Sequence, residues 1–264
     1  MHSQCQHIAN FYIAIVEFRT DNRFIVCKTY PIPPSLIFSA ARKMIHGEFD
    51  GVLKEGVRDG VGRLTWSNGD RYEGDFKNGL RHGTGTMFEQ KGSRKYVGTW
   101  VLSQKEGKGV EIFANGDKYI GEYARDRFHG QGELYTKGGL YSGSFKDGLR
   151  DGFGVMQFKT NCRYEGYWAK GRMEGKGLYS WPDSRRYEGE WVNGERTGMG
   201  VFTQVNGEKY DGTFFRNKMH GAGWWKYTHG KVRPGEWKDN VLLRWTGPEQ
   251  FEAQMKAKRL LKRG

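Results

Sequence analysis

Polar and apolar residues alternate along most of this chain with the period of two that a strand requires, and glycines interrupt the alternation at fixed places. In Tyr72-Glu73-Gly74-Asp75-Phe76 the tyrosine, glycine and phenylalanine fall on one face and the two acids on the other. A second run begins at a Gly-x-Gly and continues with apolar residues at alternate positions, as in Leu64/Trp66, Met156/Phe158 and Tyr179/Trp181. Asn-Gly and Asp-Gly pairs punctuate the runs: Asn78-Gly79, Asp147-Gly148 and Asn193-Gly194 inside units, Asn68-Gly69, Asn115-Gly116 and Asn206-Gly207 between them. These are the turn residues of tight hairpins. The pattern predicts tandem β-hairpins.

The hairpins are copies of one unit. Units begin at Phe49, Tyr72, Tyr96, Tyr119, Tyr141, Tyr164, Tyr187 and Tyr210, at spacings of 23, 24, 23, 22, 23, 23 and 23. With the leading aromatic as position 1, every unit has glycine at positions 3, 12 and 14, which takes up 24 of the 40 glycines. Position 5 is aromatic in all but the first unit: Phe76, Trp100, Tyr123, Phe145, Trp168, Trp191 and Phe214, against Leu53. A ninth, broken unit follows at Arg233-Pro234-Gly235-Glu236-Trp237. Glycine weakens a strand unless another group approaches its bare backbone, and the expected group is the aromatic ring of the same or an adjacent hairpin, lying flat. With two strands per unit at ~4.8 Å, the array predicts a ribbon about 75–80 Å long. The expected fold is all-β: an elongated, single-layer, twisted antiparallel sheet of tandem hairpins with a short C-terminal helix.

The flanks divide the chain further. Residues 1–48 are expected to form an N-terminal cap or a docking segment, with a hairpin from Phe11–Phe18 and Phe24–Tyr30 and a short helix over 39–45. Residues 49–232 hold the eight repeats, 233–245 the degenerate ninth unit and 246–264 a basic helix. Thr246-Gly247-Pro248-Glu249 supplies its capping pattern, with acids early and bases late to match the helix dipole. Lys256, Arg259 and Arg263 share one side of that helix, and Ala253, Ala257, Leu260 and Leu261 another. Three roles stay open for it: packing over the last hairpin, docking an acidic partner, or lying on a membrane surface.

Composition narrows the function classes. Aromatics make up 15% of the chain, enough to repay the entropy of folding, and only 6 prolines accompany the 40 glycines, so neither disorder nor collagen fits. The net charge of +13, from 43 Lys+Arg against 30 Asp+Glu, admits nucleic acid, anionic lipid or acidic protein surfaces. The aromatics repeat with the glycines as core, which argues against a base-stacking nucleic-acid surface. No run approaches the ~18 apolar residues of a membrane span, and the stretch from Phe11 to Val16 lacks a basic leader, so no secretory signal is expected. Cys5, Cys27 and Cys162 form no CxxC, which suits a reducing, cytoplasmic setting.

No catalytic or cofactor motif is present: there is no GKS or GKT, no HExxH and no GxSxG. His82, His129 and His220 share one repeat position but belong to the second, fourth and eighth units, so strand spacing keeps them roughly 20 Å or more apart, too far to share a metal. The acids at position 2 (Asp50, Glu73, Glu165, Glu188 and Asp211) are expected to pair with Lys and Arg of adjacent strands on the face away from the aromatics. No cofactor, metal or small-molecule substrate is expected.

The unit closely resembles the MORN repeat (membrane occupation and recognition nexus), whose signature is YEGxWxxGxxxGxGxxxxxxGxxY. The second unit, Tyr72-Glu73-Gly74-Asp75-Phe76-Lys77-Asn78-Gly79-Leu80-Arg81-His82-Gly83-Thr84-Gly85, and the seventh, from Tyr187-Glu188-Gly189-Glu190-Trp191-Val192-Asn193-Gly194, carry the resemblance. It spans residues 49–232, departing at Phe49 and where the third, fourth and eighth units lack glycine at position 8, which leaves their turn type open. The resemblance implies a non-enzymatic scaffold, similar to the array-only MORN proteins of the ciliary and flagellar axoneme and of sperm, bridging proteins of a cytoskeletal complex such as a radial spoke or a microtubule-associated assembly. A tether on anionic phospholipid is the alternative it implies, and an array accessory to an enzyme a third. The expected partner-binding groove is lined by Tyr72, Phe76, Tyr96, Trp100, Tyr119, Tyr141, Tyr164, Trp168, Tyr187, Trp191 and Tyr210, with Lys256, Arg259 and Arg263 as a basic docking helix.

Overall fold

The computed structural model describes residues 12–16, 27–31, 47–249 and 252–253. Strands β1 (Tyr12–Val16) and β2 (Cys27–Pro31) pair antiparallel, giving the hairpin expected near the start of the chain. The helix expected over 39–45 lies outside the described residues. The repeats begin with β3 (Glu48–Lys54), β4 (Val57–Thr65), β5 (Arg71–Lys77) and β6 (Leu80–Glu89). Strands β7–β18 continue the pattern between Arg94 and Lys226. The broken ninth unit still forms a hairpin, β19 (Val232–Lys238) with β20 (Val241–Trp245). After it the backbone is helical at Pro248, Glu249, Glu252 and Ala253. Lys256, Arg259 and Arg263 fall outside the described residues.

From β3 to β20 every strand pairs antiparallel with its sequence neighbours, and no register joins β20 to β3, so the sheet is open. The register places glycine against glycine: Gly51 faces Gly62, Gly62 faces Gly74, and Gly74 faces Gly85. The row continues strand by strand until Gly223 meets Gly235, and Trp245 ends it on β20. Side chains are therefore missing along one line across the whole ribbon. The extra residue of the second unit is absorbed by a single 3-10 turn, Gln90–Gly92.

The two glycines of each Gly-x-Gly serve different needs. The first lies beside a bulge, where the register slips within the hairpin, and its φ is in the left-handed region, +62° at Gly107. The second lies under a ring: a Cβ on Gly109 would stand 2.5 Å from Cε2 of Tyr96. One is conformational and the other steric.

Hairpin turns put two consecutive residues at positive φ, +52° and +81° at Asn78-Gly79. Units without the second glycine keep the same turn: Leu102-Ser103 sits at +50° and +66°, Arg216-Asn217 at +48° and +72°. Neighbouring turns hold it in place. The Ser103 amide donates to the Arg81 carbonyl at 2.9 Å, and the Arg81 amide donates back to Ser103 Oγ at 3.1 Å. Asn217 and Arg196 repeat that exchange at 3.0 and 2.9 Å.

Gly109→Ala is expected to lose at least ~2 kcal/mol, because a methyl group is forced into a ring. Gly116→Ala, at a turn with φ +85° and open space around it, is expected to lose only about 1 kcal/mol. Denaturant midpoints of the two variants check this; equal losses would remove the steric role of the glycine row.

Candidate functional site

On the glycine-bare line each tyrosine lies across its own hairpin. Its hydroxyl donates to the main-chain carbonyl three residues on: Tyr72 to Asp75 at 3.0 Å, Tyr96 to Thr99 at 3.1 Å, Tyr187 to Glu190 at 2.9 Å. That carbonyl belongs to the residue at the bulge, so the phenol satisfies an acceptor that the disrupted ladder leaves over. Position 5 rings stand edge-on between successive tyrosines. Tyr72–Trp100–Tyr96–Tyr123–Tyr119–Phe145–Tyr141–Trp168 runs with centroids 5.1–5.4 Å apart and interplanar angles of 82–90°. The chain of rings reaches from Phe49 to Trp237.

This is where the expected groove residues are. Tyr72, Tyr119, Tyr164, Tyr187 and Tyr210 have no exposed surface, and Phe76, Tyr96, Trp100, Tyr141, Trp168 and Trp191 are also buried. The rings form the core instead of a lining, because the tyrosines lie flat on the sheet and the position 5 rings stand edge-on between them. What rims them is a set that periodicity alone did not reveal. Position 10 carries Arg58, Arg81, Lys105, Arg150 and Arg196, with Phe128, Met173 and Met219 in the other units. Arg81 lies 4.2 Å from the Trp100 ring and Arg150 4.2 Å from that of Trp168. Each also donates to a turn carbonyl of the next unit: Arg81 to Ser103 at 2.8 Å, Arg150 to Gly171 at 3.0 Å, Arg196 to Asn217 at 2.6 Å. Burial pushes all three guanidinium groups below their ordinary range. A signal existed in the sequence, five cations at one repeat position, but three apolar residues interrupt it.

The third unit departs from the pattern. Glu111 occupies position 16, where Leu64, Met87, Leu134 and Met156 stand elsewhere. It is 2% exposed and fully engaged. Lys105 Nζ lies 2.6 Å and Arg94 Nη2 2.7 Å from Oε1, while the Tyr123 hydroxyl donates to Oε2 at 2.9 Å. Burial, then the charge of Glu111, pushes the Tyr123 phenol up.

The opposite face is a trough. Its floor is the glycine row seen from behind, and side chains at positions 2 and 15 on one side, 4 and 13 on the other, form its banks. Two adjoining hollows sit along it, about 490 Å³ beside Val97, Val110 and Ile120, and about 450 Å³ beside Ser142, Phe153 and Val155. Phe153 and Tyr167 meet edge-on at 5.6 Å and are 48% and 53% exposed. Of the position 2 acids, Glu73 pairs with Arg63 of the adjacent strand at 2.8 Å and Asp211 with Lys226 at 2.7 Å, while Glu165 takes Arg163 of its own strand at 2.5 Å. Acids also stand on this face at position 4, as the alternation through Asp75 implies. Asp75 accepts from the Thr84 amide at 2.7 Å and so closes the bulge on this face.

Among the described residues no group of His, Cys, Asp and Glu is placed to hold a metal ion, and no helix is long and apolar enough to cross a membrane. Eight segments match the MORN repeat: 49–71, 72–93, 96–118, 119–140, 141–163, 164–184, 187–209 and 210–231. The chain belongs to the MORN repeat family. MORN arrays serve as protein-interaction or membrane-binding scaffolds and are generally non-enzymatic. No curated protein matches this chain as a relative. Among solved structures it is similar to the Drosophila melanogaster SAS-4 (dCPAP) TCP domain in complex with a proline-rich motif of Ana2 (dSTIL). The identity there is 11% and the TM-score 0.35, over 70% of this chain and 88% of that one. It is also similar to a mutant TCP10 domain of Danio rerio CPAP, at 13% identity and a TM-score of 0.28, over 71% and 88%. Likeness at these scores carries no argument about the MORN array.

Two outcomes follow for the buried face. Glu111→Ala is expected to cost about 3–5 kcal/mol by stranding Lys105, whereas Lys105→Met with Glu111→Leu and Tyr123→Phe is expected to restore near-native stability. Unfolding free energies of the two variants decide it. Burial raises the stack phenols above the ~10 of an unfolded chain, to about 12 at Tyr141. Their contribution is thus complete below pH ~10 and is lost as pH rises through about 12. Most of the phenolate absorbance is expected to appear together with loss of the sheet; titration of every tyrosine near pH 10 in a folded chain would contradict the assignment.

Proposed function

We propose that this MORN array is a non-enzymatic scaffold that docks partner proteins on the trough face, within a cytoskeletal assembly of the ciliary or flagellar axoneme. The observation that supports docking is the set of exposed apolar side chains on both banks of the trough. Val97, Phe153 and Tyr167 are 43%, 48% and 53% exposed on the face turned away from the ring core. The Phe153–Tyr167 pair, with ring centroids 5.6 Å apart, is exposed apolar surface of the kind that marks an interaction site. A single-layer sheet has one face given to its own rings, which leaves the other to a partner. The axonemal, radial-spoke or microtubule-associated setting rests on the resemblance to other MORN arrays, as does a cytoplasmic location. The basic segment with Lys256, Arg259 and Arg263 would add a contact for an acidic partner.

The test uses tagged chain in ciliated cells, with isolated, detergent-washed axonemes as the readout. Wild type is expected to stay with the axoneme and cross-link there to proteins, and Phe153→Glu with Tyr167→Glu to be released while melting at an unchanged temperature. Wild-type protein that is wholly released by detergent and floats with anionic liposomes would replace this reading with the lipid tether. Its binding would then weaken steeply with added salt.

A further inference from the structure

The ribbon has two open ends, and they differ. Among the described residues no register joins the outer edge of β3 or of β20 to another strand. At the far end Trp245 stands in the line that glycine keeps elsewhere, and Arg244 is held by Glu236 at 2.8 Å. At the near end that line is still bare: Gly51 faces Gly62 on one side and the open edge on the other. β3 is the most exposed strand of the array, with only Phe49 half-buried among its residues. Val52 and Leu53 are 55% and 56% exposed. An edge of this kind presents unpaired N–H and C=O groups to any strand that fits it.

The junctions inside the array define what fits. Where one unit meets the next, glycine faces glycine, and an apolar residue two positions on faces the leading ring. Gly62 faces Gly74 with Leu64 on Tyr72, and Gly85 faces Gly98 with Met87 on Tyr96. The opening strand of a unit makes this junction without a bulge, as β5 does from Arg71 to Phe76. β3 carries the required complement in its own sequence. Turned end for end about Gly51, it sets glycine against glycine and Leu53 against Phe49, at the same offsets as Leu64 on Tyr72. Glu48 then lies opposite Lys54 at both ends, and Asp50 lies opposite Val52 and diagonal to Lys54. Among the described residues neither Glu48 nor Lys54 makes an ion pair within its own chain. Leucine at position 5, where every later unit has an aromatic ring, is the residue this register calls for.

We propose that β3 is the interface of a twofold dimer, in which a second copy of this chain lays its own β3 antiparallel on the first about Gly51. Main-chain hydrogen bonds across the edge supply affinity, and the opposed side chains fix the register. A second copy is a better occupant than a foreign strand, because the charges and apolar residues that β3 needs opposite it are the ones it presents. The contact is isologous and closes at two copies. It runs the bare glycine line on from one ribbon into the other. Both troughs stay open on one face, so the dimer stands whether or not the trough docks a protein.

Sedimentation of the full chain from about 1 to 100 µM tests this. The dimer fraction of wild type is expected to rise across that range. Glu48→Lys and Lys54→Glu each set like charges opposite one another at both ends of the interface, and each is expected to weaken dimerisation roughly tenfold. Mixing the two variants sets opposite charges face to face again and is expected to restore wild-type association. Leu53→Lys, which puts a charge on the ring side of the edge, is expected to remain monomeric. All three side chains are exposed, so melting temperatures are expected to stay unchanged. A wild-type monomer at every concentration would overturn the proposal. So would a dimer indifferent to the two charge variants, or one that their mixture fails to restore, by moving the contact to another surface. Species that grow beyond two copies would overturn it in favour of head-to-tail joining of β20 to β3.

Discussion

A tyrosine ring laid over a bare glycine, with its hydroxyl on a bulge carbonyl, is the contact from which the rest of this molecule follows. A single-layer sheet has no second layer to cover its apolar face. Here the cover is made from the face itself. Removing side chains along one line lets rings lie down where they would otherwise stand up, and rings lying down reach their neighbours edge-on. The bulge is part of the same bargain: it places glycine at positive φ, frees a carbonyl, and brings that carbonyl to the phenol. From the second unit to the eighth the three occur together.

The same contact explains how far the sequence could be read. Hairpins, unit boundaries, the paired glycines and the ring-on-glycine packing were all legible, because each depends on residue types repeated in phase. The ninth, broken unit was legible from Arg233-Pro234-Gly235-Glu236-Trp237, and it folds as a hairpin. The burial of the rings was not. Alternation assigns Tyr72 and Trp168 to one face but cannot tell a ring that lines a groove from one that closes it, since both leave the same period. Burial depends on ring tilt, and tilt depends on what the glycine across the strand omits. The expectation of a tyrosine-lined groove fails for that physical reason at each of those rings.

Departures from the repeat were harder still. Glu111 is a single substitution at a position that is apolar in its neighbours, and its meaning emerges only once Lys105, Arg94 and Tyr123 are seen to converge on it. The arginines of position 10 act in two directions at once, stacking on an indole and holding the next turn. Turns without glycine, such as Leu102-Ser103, show the converse: a local preference overridden by bonds to the adjacent turn.

Turn-to-turn bonding reaches only one unit in each direction. Gly79 bonds to Arg58, Ser103 to Arg81, Asp126 to Lys105, and so on up the array. A chain joined in this way is a ruler. Whole units can be added or removed at a cost confined to one junction, and each changes the end-to-end reach by about 10 Å without altering either face. Eight matched repeats and one partial one therefore set a distance, and evolution can adjust that distance in fixed steps while leaving the contacts at both ends as they were.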